Sequence, residues 1–459
     1  MSAIVIISLV AIVVLFLGVY KANKMLLPVS VMALLASLAL TLNDWNTNFY
    51  YYNRMIFVDN YAIVFMALTI LTTILILILS KDYFEKISSN VAEYIALMLF
   101  SLVGVFAMVS FQNLSMLFIG IEIMSVCMYI LAGIKKKNLL SNEAALKYFL
   151  MGCFATGFLL FGIALIYGVT GSFDLDQIGN ALRLSNGDIS PIFYVGVLMM
   201  IVGLGFKVSA APFHFWTPDV YDGSPTLITT FMSSVIKTAG FAAFLRLFYT
   251  SFAPIIDFLT PTLWMMTALT ITIGNITAVY QTSFKRMLAY SSISHAGYML
   301  MAILAMGATS QSAVFIYATA YSIASVTAFA ILIRVKKEGG SDLFTSFNGL
   351  AKRNPFMALA MTISMCSLAG IPLTAGFFGK FYIFAAALSQ QFLWLVIIAV
   401  INAIIGIYYY FKVIIAMYMK EGTEDTVIKL NANYRFVLIL CAIATIILGV
   451  LPGLISSIL

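Results

Sequence analysis

Apolar runs long enough to cross a bilayer follow one another from one end of the chain to the other, separated by short connections. A run of roughly 20 apolar residues spans the hydrocarbon core as a helix, because a helix pairs its own backbone groups where no water can. Only 9% of the 459 residues are charged and 63% are hydrophobic, against about 25% charged in a soluble domain. No globular core hides this much apolar surface, since soluble chains divide into domains well before this length. A cytosolic enzyme, a nucleic-acid binder and a disordered protein are excluded. The net charge of +7 therefore has to be read as a distribution across a membrane.

The runs predict an all-α polytopic membrane protein of fourteen spans, at residues 3–20, 25–42, 57–80, 91–109, 112–134, 142–170, 192–216, 225–250, 258–280, 287–306, 310–335, 355–389, 391–419 and 433–456. The N-terminal MSAIVIISLV has no basic flank and is expected to be a retained first helix, not a cleaved signal. Most of the 25 Lys and Arg residues fall in one set of loops and helix ends, among them Lys86, Lys135, Lys136, Lys137, Lys285, Arg286, Lys336 and Lys337. The opposite set holds only Arg54, Arg183 and Arg246. Positive loops stay in the cytoplasm, so both termini are expected on the outer face. Cys127, Cys153, Cys366 and Cys441 stand singly in apolar runs, with no CxxC pair and two histidines in all, so no metal, haem or other cofactor is expected in this chain.

Five ionisable residues lie deep within spans: Glu122 in the fifth, Lys207 in the seventh, Lys237 in the eighth, His295 in the tenth and Lys380 in the twelfth. Each lysine or carboxylate at a helix centre costs about 2.5–3.5 kcal/mol on insertion scales. For any one of them, gluing helices together is explanation enough. Three lysines and a glutamate in one chain point instead to a polar path through the membrane. Thr226, Thr230, Ser233 and Ser234 lead along one helical face to Lys237, and Ser291, Ser294 and Tyr298 share a face with His295.

Two spans carry breaks. The seventh reads GLGFKVSAAPFHFWTPD, with Pro212 after Lys207, and the twelfth reads CSLAGIPLTAGFFGKFY, with Pro372 before Lys380. Proline disrupts the helical ladder, and irregular backbone survives at membrane depth only where protein or water satisfies it. The breaks lie five spans apart, as do Glu122 and His295. An odd offset reverses direction, so two inverted five-helix repeats are expected, at 91–250 and 251–420, after a three-helix segment at 1–90 and before a last helix at 421–459. Broken helices at matching places in inverted halves mark transport sites. His214 is expected to be a packed interfacial residue in preference to a proton carrier, and Asp219 and Asp222 to cap the eighth span in preference to lining an entrance.

GLGFKVSAAPFHFWTPDVYDGSP, SFKRMLAYSSISHAGYM and LAGIPLTAGFFGKFY, in that order, resemble the proton-translocating antiporter-like family. That family includes the membrane-arm subunits of respiratory complex I (NADH–quinone oxidoreductase) and the large subunits of multisubunit cation/proton antiporters. Fourteen spans without a long lateral helix, and a lysine at 380 where M-type subunits have a glutamate, resemble the N-type branch. Three retained N-terminal helices look bacterial. The resemblance implies a non-redox translocase subunit of a bacterial inner-membrane complex, with other membrane-arm subunits and lipid as its partners. It implies that Glu122 and Lys207 form an ion pair, that Lys237 is a central lysine, His295 a bridge and Lys380 a terminal lysine. Two alternatives stay open: a subunit of a cation/proton antiporter, and a membrane scaffold whose buried charges only hold helices together.

Overall fold

The computed structural model of the protein describes residues 1–84, 90–185, 189–307, 309–422, 427–456 and 458; Lys86 lies outside them. Among these residues, twelve helices are long and apolar enough to cross a membrane, and two shorter apolar helices, Pro355–Ala369 and Ala375–Ser389, flank a break. One continuous stretch, Thr226–Val279, covers the eighth and ninth expected spans. Among the described residues, one short hairpin interrupts the helices, in which Phe49–Tyr51 pairs antiparallel with Ile56–Val58.

Helix ends follow local chemistry. Asn113, Asn138, Ser283 and Asn354 each accept a hydrogen bond from a backbone N–H in the first turn of the helix they precede, which satisfies a donor that the helix itself leaves open. Pro355 follows Asn354 at the first helical position, where its missing N–H costs nothing.

The chain forms two compact units. The first comprises residues 1–77, 81–209 and 235–263, and the second 78–80, 210–234 and 264–459. In the first unit the helices Leu139–Thr170 and Pro191–Val208 approach so closely that a Cβ at Gly162 would lie 2.5 Å from the Gly196 carbonyl oxygen, and one at Gly203 would lie 3.0 Å from the Ala155 carbonyl oxygen. Small residues allow such approach where lipid removes the hydrophobic drive for association. At the end of the helix Lys237–Leu247, Arg246 is buried and pairs with Asp59 at 2.5 Å, while its guanidinium lies 5.0 Å from the centre of the Tyr61 ring. The sequence sorted this arginine with outer loops and helix ends; it does stand in the last turn of its helix, where it is also buried and partnered.

In the second unit, Phe284–Ala305 and Ser310–Gly339 are the innermost helices, with 94% of their apolar stretches buried. Leu393–Met419 and Ala432–Val450 expose Trp394, Ile404, Phe436 and Ile443, as lipid-facing surfaces do. Asp219 and Asp222 do not cap the helix starting at Thr226, which is preceded by Pro225 and has no side-chain cap. Arg286 draws both carboxylates away, at 3.1 Å and 3.6 Å, while the buried Lys285 ammonium donates to the carbonyls of Asp222 and Ser224 at 2.8 Å and 2.5 Å.

Replacing Gly162 by Leu is expected to destabilise the first unit by about 1–3 kcal/mol, the usual penalty for overpacking. Thermal unfolding of the detergent-solubilised protein measures this; an unchanged transition would contradict the close packing described.

Candidate functional site

Both expected breaks are present, and protein groups satisfy each. The helix Pro191–Val208 ends at Ser209, which takes a left-handed φ of 65°. A turn follows before the short helix Trp216–Gly223. Within that turn the Ala211 N–H, freed from any helical ladder, donates to Thr270 Oγ1 at 2.8 Å. His214 is buried beside Phe215 (ring centres 4.4 Å apart), and its Nδ1 makes no hydrogen bond among the described residues.

The second break is closed by one of the site residues itself. Pro355–Ala369 ends at Gly370, whose φ of 84° suits a residue without a Cβ. The Lys380 ammonium, from the following half-helix Ala375–Ser389, folds back and donates to the carbonyls of Leu368 and Ala369 at 3.1 Å and 2.8 Å. Those are last-turn carbonyls with no helical partner, at the negative end of the helix dipole. The ammonium also lies 5.1 Å from the centre of the Tyr298 ring, a favourable face for a cation. A Cβ on Gly370 would sit 2.8 Å from Lys380 Cδ, so the lysine occupies the space that this glycine leaves.

Lys207 occupies the last turn of its helix and is buried. It donates to Ser125 Oγ at 2.6 Å and, more weakly, to the Tyr129 hydroxyl at 3.4 Å. Both partners stand on Leu114–Ala132, the helix that carries Glu122. Among the described residues no ion pair joins Glu122 and Lys207 within 4 Å; Glu122 is half-buried, and its Oε1 is enclosed without a hydrogen-bond partner. The expected pair is unmade in this structure, with a serine one turn from the carboxylate holding the ammonium.

Lys237 is buried and stands immediately after a π-helical turn, Met232–Ile236. The hydroxyls of Ser233 and Ser234 both donate to the Thr230 carbonyl, at 3.0 Å and 2.7 Å, and Thr230 donates to the Thr226 carbonyl at 2.9 Å. Two hydroxyls converging on one carbonyl compete with the helical ladder just where the turn widens, and such widened turns recur at functional sites. The polar stripe is therefore present, with its hydroxyl protons engaged by its own backbone.

His295 lies in the second unit with both ring nitrogens occupied: Nδ1 by the Tyr317 hydroxyl at 2.5 Å and Nε2 by the Tyr410 hydroxyl at 2.9 Å. Tyr410 in turn shares a short hydrogen bond with Ser291. A cavity of about 10 Å³, close to the least that admits one water molecule, is lined by His295, Tyr317, Tyr321, Ser367 and Lys380. The unit thus brings together two of the five expected site residues, His295 and Lys380, across one cavity. The first unit holds Glu122, Lys207 and Lys237, each deep within or beside an apolar helix. Sequence reasoning missed Ser125, Tyr129, Tyr317 and Tyr410. With 24 tyrosines in the chain, only their place opposite a buried titratable group distinguishes them. Among the described residues, no group of three or more His, Cys, Asp or Glu is arranged to hold a metal ion.

A sequence profile of the NADH:quinone oxidoreductase/Mrp antiporter transmembrane family matches residues 112–406. NADH-quinone oxidoreductase subunit N of Cytophaga hutchinsonii is 42% identical over 464 aligned positions, covering 100% of this chain and 99% of the relative. The subunit of the same name from Flavobacterium psychrophilum is 40% identical, with 100% of each chain covered. Among solved structures, a chain of respiratory complex I from Thermus thermophilus with bound aureothin superposes with a TM-score of 0.84 at 31% identity, covering 99% of this chain and 98% of that one. A chain of the Mrp complex from Dietzia shares the fold, with a TM-score of 0.88 at 18% identity over 100% of this chain and 95% of that one.

The Gly370→Ala substitution adds a Cβ to a left-handed residue, at about 1–2 kcal/mol, and pushes it into Lys380. A lower thermal transition of the purified protein is expected, larger than that of Gly168→Ala, where a Cβ meets nothing within 4 Å. Equal transitions for the two variants would argue against the folded-back lysine.

Proposed function

The chain belongs to the NADH:quinone oxidoreductase/Mrp antiporter transmembrane family, and from that premise we propose that it is the N-type, proton-translocating membrane-arm subunit of an NADH–quinone oxidoreductase. The observation that carries this reading is the set of three lysines and a histidine buried within apolar helices, with exposures of 5% for Lys207, 2% for Lys237, 3% for His295 and 7% for Lys380. Such groups are expensive in a bilayer and otherwise replaceable by apolar residues. The nearly complete coverage of relatives named as this subunit supports the same reading.

In this reading protons enter from the cytoplasm and load at Lys237. They pass by way of water and His295 to Lys380, and leave on the outer face, where both termini lie. The complex sits in a bacterial inner membrane beside the other membrane-arm subunits. Redox cofactors and quinone chemistry belong to those partners, and this chain contributes proton movement alone. The two broken helices belong to two inverted repeats.

Glu122 and Lys207 act as the driver. At about 5 Å and an effective dielectric near 20, an ion pair contributes roughly 3 kcal/mol. Moving one charge against about 150 mV costs roughly 3.5 kcal/mol. Making and breaking one pair is therefore on the scale needed to push a proton onward. The arrangement in which Ser125 and Tyr129 hold Lys207 is the broken half of that cycle, and closure onto Glu122 is the other half.

Lys237→Met and Glu122→Gln are each expected to cut proton transfer through this chain by about 10²-fold in an assembled complex while leaving its composition intact. Pumping is read as pH change in proteoliposomes during NADH oxidation. A Lys237→Met complex that pumps at the parental rate would sink the proposal. Replacing sodium by choline separates the antiporter alternative, which requires pumping to follow the sodium gradient.

A further inference from the structure

His295 is held differently from the buried lysines, because hydroxyl groups from two other helices occupy both of its ring nitrogens. Tyr410, on Leu393–Met419, bonds Nε2 and is itself bonded to Ser291. Tyr317, on Ser310–Gly339, bonds Nδ1 and lines the cavity that Lys380 also lines. From Ser291 to Tyr317 the groups are joined by hydrogen bonds (serine hydroxyl, tyrosine hydroxyl, imidazole, tyrosine hydroxyl), and the small cavity that follows, lined also by Ala320 and Leu368, separates Tyr317 from the Lys380 ammonium. Gly379 makes room for Tyr317, since a Cβ there would fall 2.8 Å from Tyr317 Cδ2. Four tyrosine rings, Tyr298, Tyr317, Tyr321 and Tyr410, lie at ring-contact distance from His295. Packing alone would accept phenylalanine at these places, of which the chain has 37.

We propose that Tyr410 and Tyr317 are the proton-carrying residues on the two sides of His295, Tyr410 delivering to Nε2 and Tyr317 taking from Nδ1 toward Lys380. This deepens the translocation reading above and rests on it. A neutral imidazole has one donor and one acceptor nitrogen, so it begins with Nδ1–H donating to Tyr317 and Nε2 accepting from Tyr410. Tyr410 gives its hydroxyl proton to Nε2 and receives one from the Ser291 side, which leaves an imidazolium. The Nδ1–H bond then breaks. Its proton goes to the Tyr317 oxygen, while the proton already on that oxygen passes into the cavity and onto a neutral Lys380 amine. One proton crosses the ring, both tyrosines end neutral, and the histidine ends as the other tautomer. Reorientation of the ring and hydroxyls restores the starting state without net charge movement.

The test uses the complete complex in proteoliposomes, with Tyr317→Phe, Tyr410→Phe and Lys237→Met compared at equal subunit composition. Proton transfer through this chain is expected to fall by about 10²-fold in each tyrosine variant, the lower end of what a positioned acid–base group contributes. The loss should match that of Lys237→Met, with NADH oxidation retained in uncoupled vesicles. If Lys237→Met loses pumping and both tyrosine variants keep it, the tyrosine assignment is overturned and the translocation reading survives. If Lys237→Met also pumps normally, both fall. Should a phenylalanine variant fail to assemble, a difluorinated tyrosine at position 317 keeps the ring shape and alters the acidity of the hydroxyl. It is expected to change the pumping rate, and an unaltered rate overturns the proposal.

Discussion

A hydrocarbon solvent offers no hydrogen bonds, so every polar group placed in it has to find its partner inside the protein. The chain's functional architecture grows from this constraint. At the second break, the orphan carbonyls of a half-helix and a buried ammonium solve each other's problem. Lys380 supplies two donors to Leu368 and Ala369, and the helix terminus supplies partial negative charge to Lys380. The first break uses a different device, a threonine hydroxyl for the Ala211 N–H, and its lysine turns instead to Ser125 and Tyr129. Similar backbone discontinuities thus give the two lysines unlike partners. One is held by fixed backbone acceptors, the other by rotatable hydroxyls that can release it.

That contrast bears on how charge is moved. A lysine held by side-chain hydroxyls loses little when it swings to a nearby carboxylate, because neutral hydrogen bonds are each worth only about 1 kcal/mol net. Roughly 3 kcal/mol of ion-pair energy then decides where the ammonium rests. At Lys380 the balance differs. Losing its charge weakens two bonds to a helix end and with them the geometry of the break, so protonation there is tied to backbone structure. Under the proposed function, a terminal site that holds its proton through the fold and a driver site that exchanges partners cheaply suit the two ends of a directed path.

What the sequence made legible is what periodicity and solvent chemistry determine. The apolar runs marked most helices to within a few residues, although the seventh ends at Val208 and not 216, the last at Val450 and not 456, and the eighth and ninth run on as one stretch. GFKVSAAPFHF and AGIPLTAGFFGK marked both discontinuities, because proline and glycine act locally. Partners arriving from distant segments left no such mark. Arg246 read as a helix-end residue, which it is, but nothing local announced its partner Asp59, 187 positions earlier. Asp219 and Asp222 had the position of caps, and Arg286 took both. The Glu122–Lys207 pair inferred from resemblance is open here because Ser125, three residues along the same helix, competes for the ammonium, and sequence cannot rank those two acceptors. The widened turn before Lys237 was likewise hidden, although Thr230, Ser233 and Ser234, whose hydroxyls meet at one carbonyl, were all in view.

Tyrosine suits the surroundings of a buried histidine for a reason that follows from the same solvent constraint. A carboxylate there would bring a charge that itself needs a partner, and would trap the imidazolium as an ion pair. A water molecule would need its own set of donors and acceptors. A phenol carries an apolar ring that packs as phenylalanine does and one hydroxyl that both donates and accepts. It can therefore bond either tautomer of the imidazole without becoming charged. Placing one phenol on each nitrogen, as Tyr410 and Tyr317 do, keeps the histidine satisfied in its neutral forms and lets an excess proton arrive on one side and depart on the other. The cost of holding a titratable ring in oil is met by groups that leave its proton free to move.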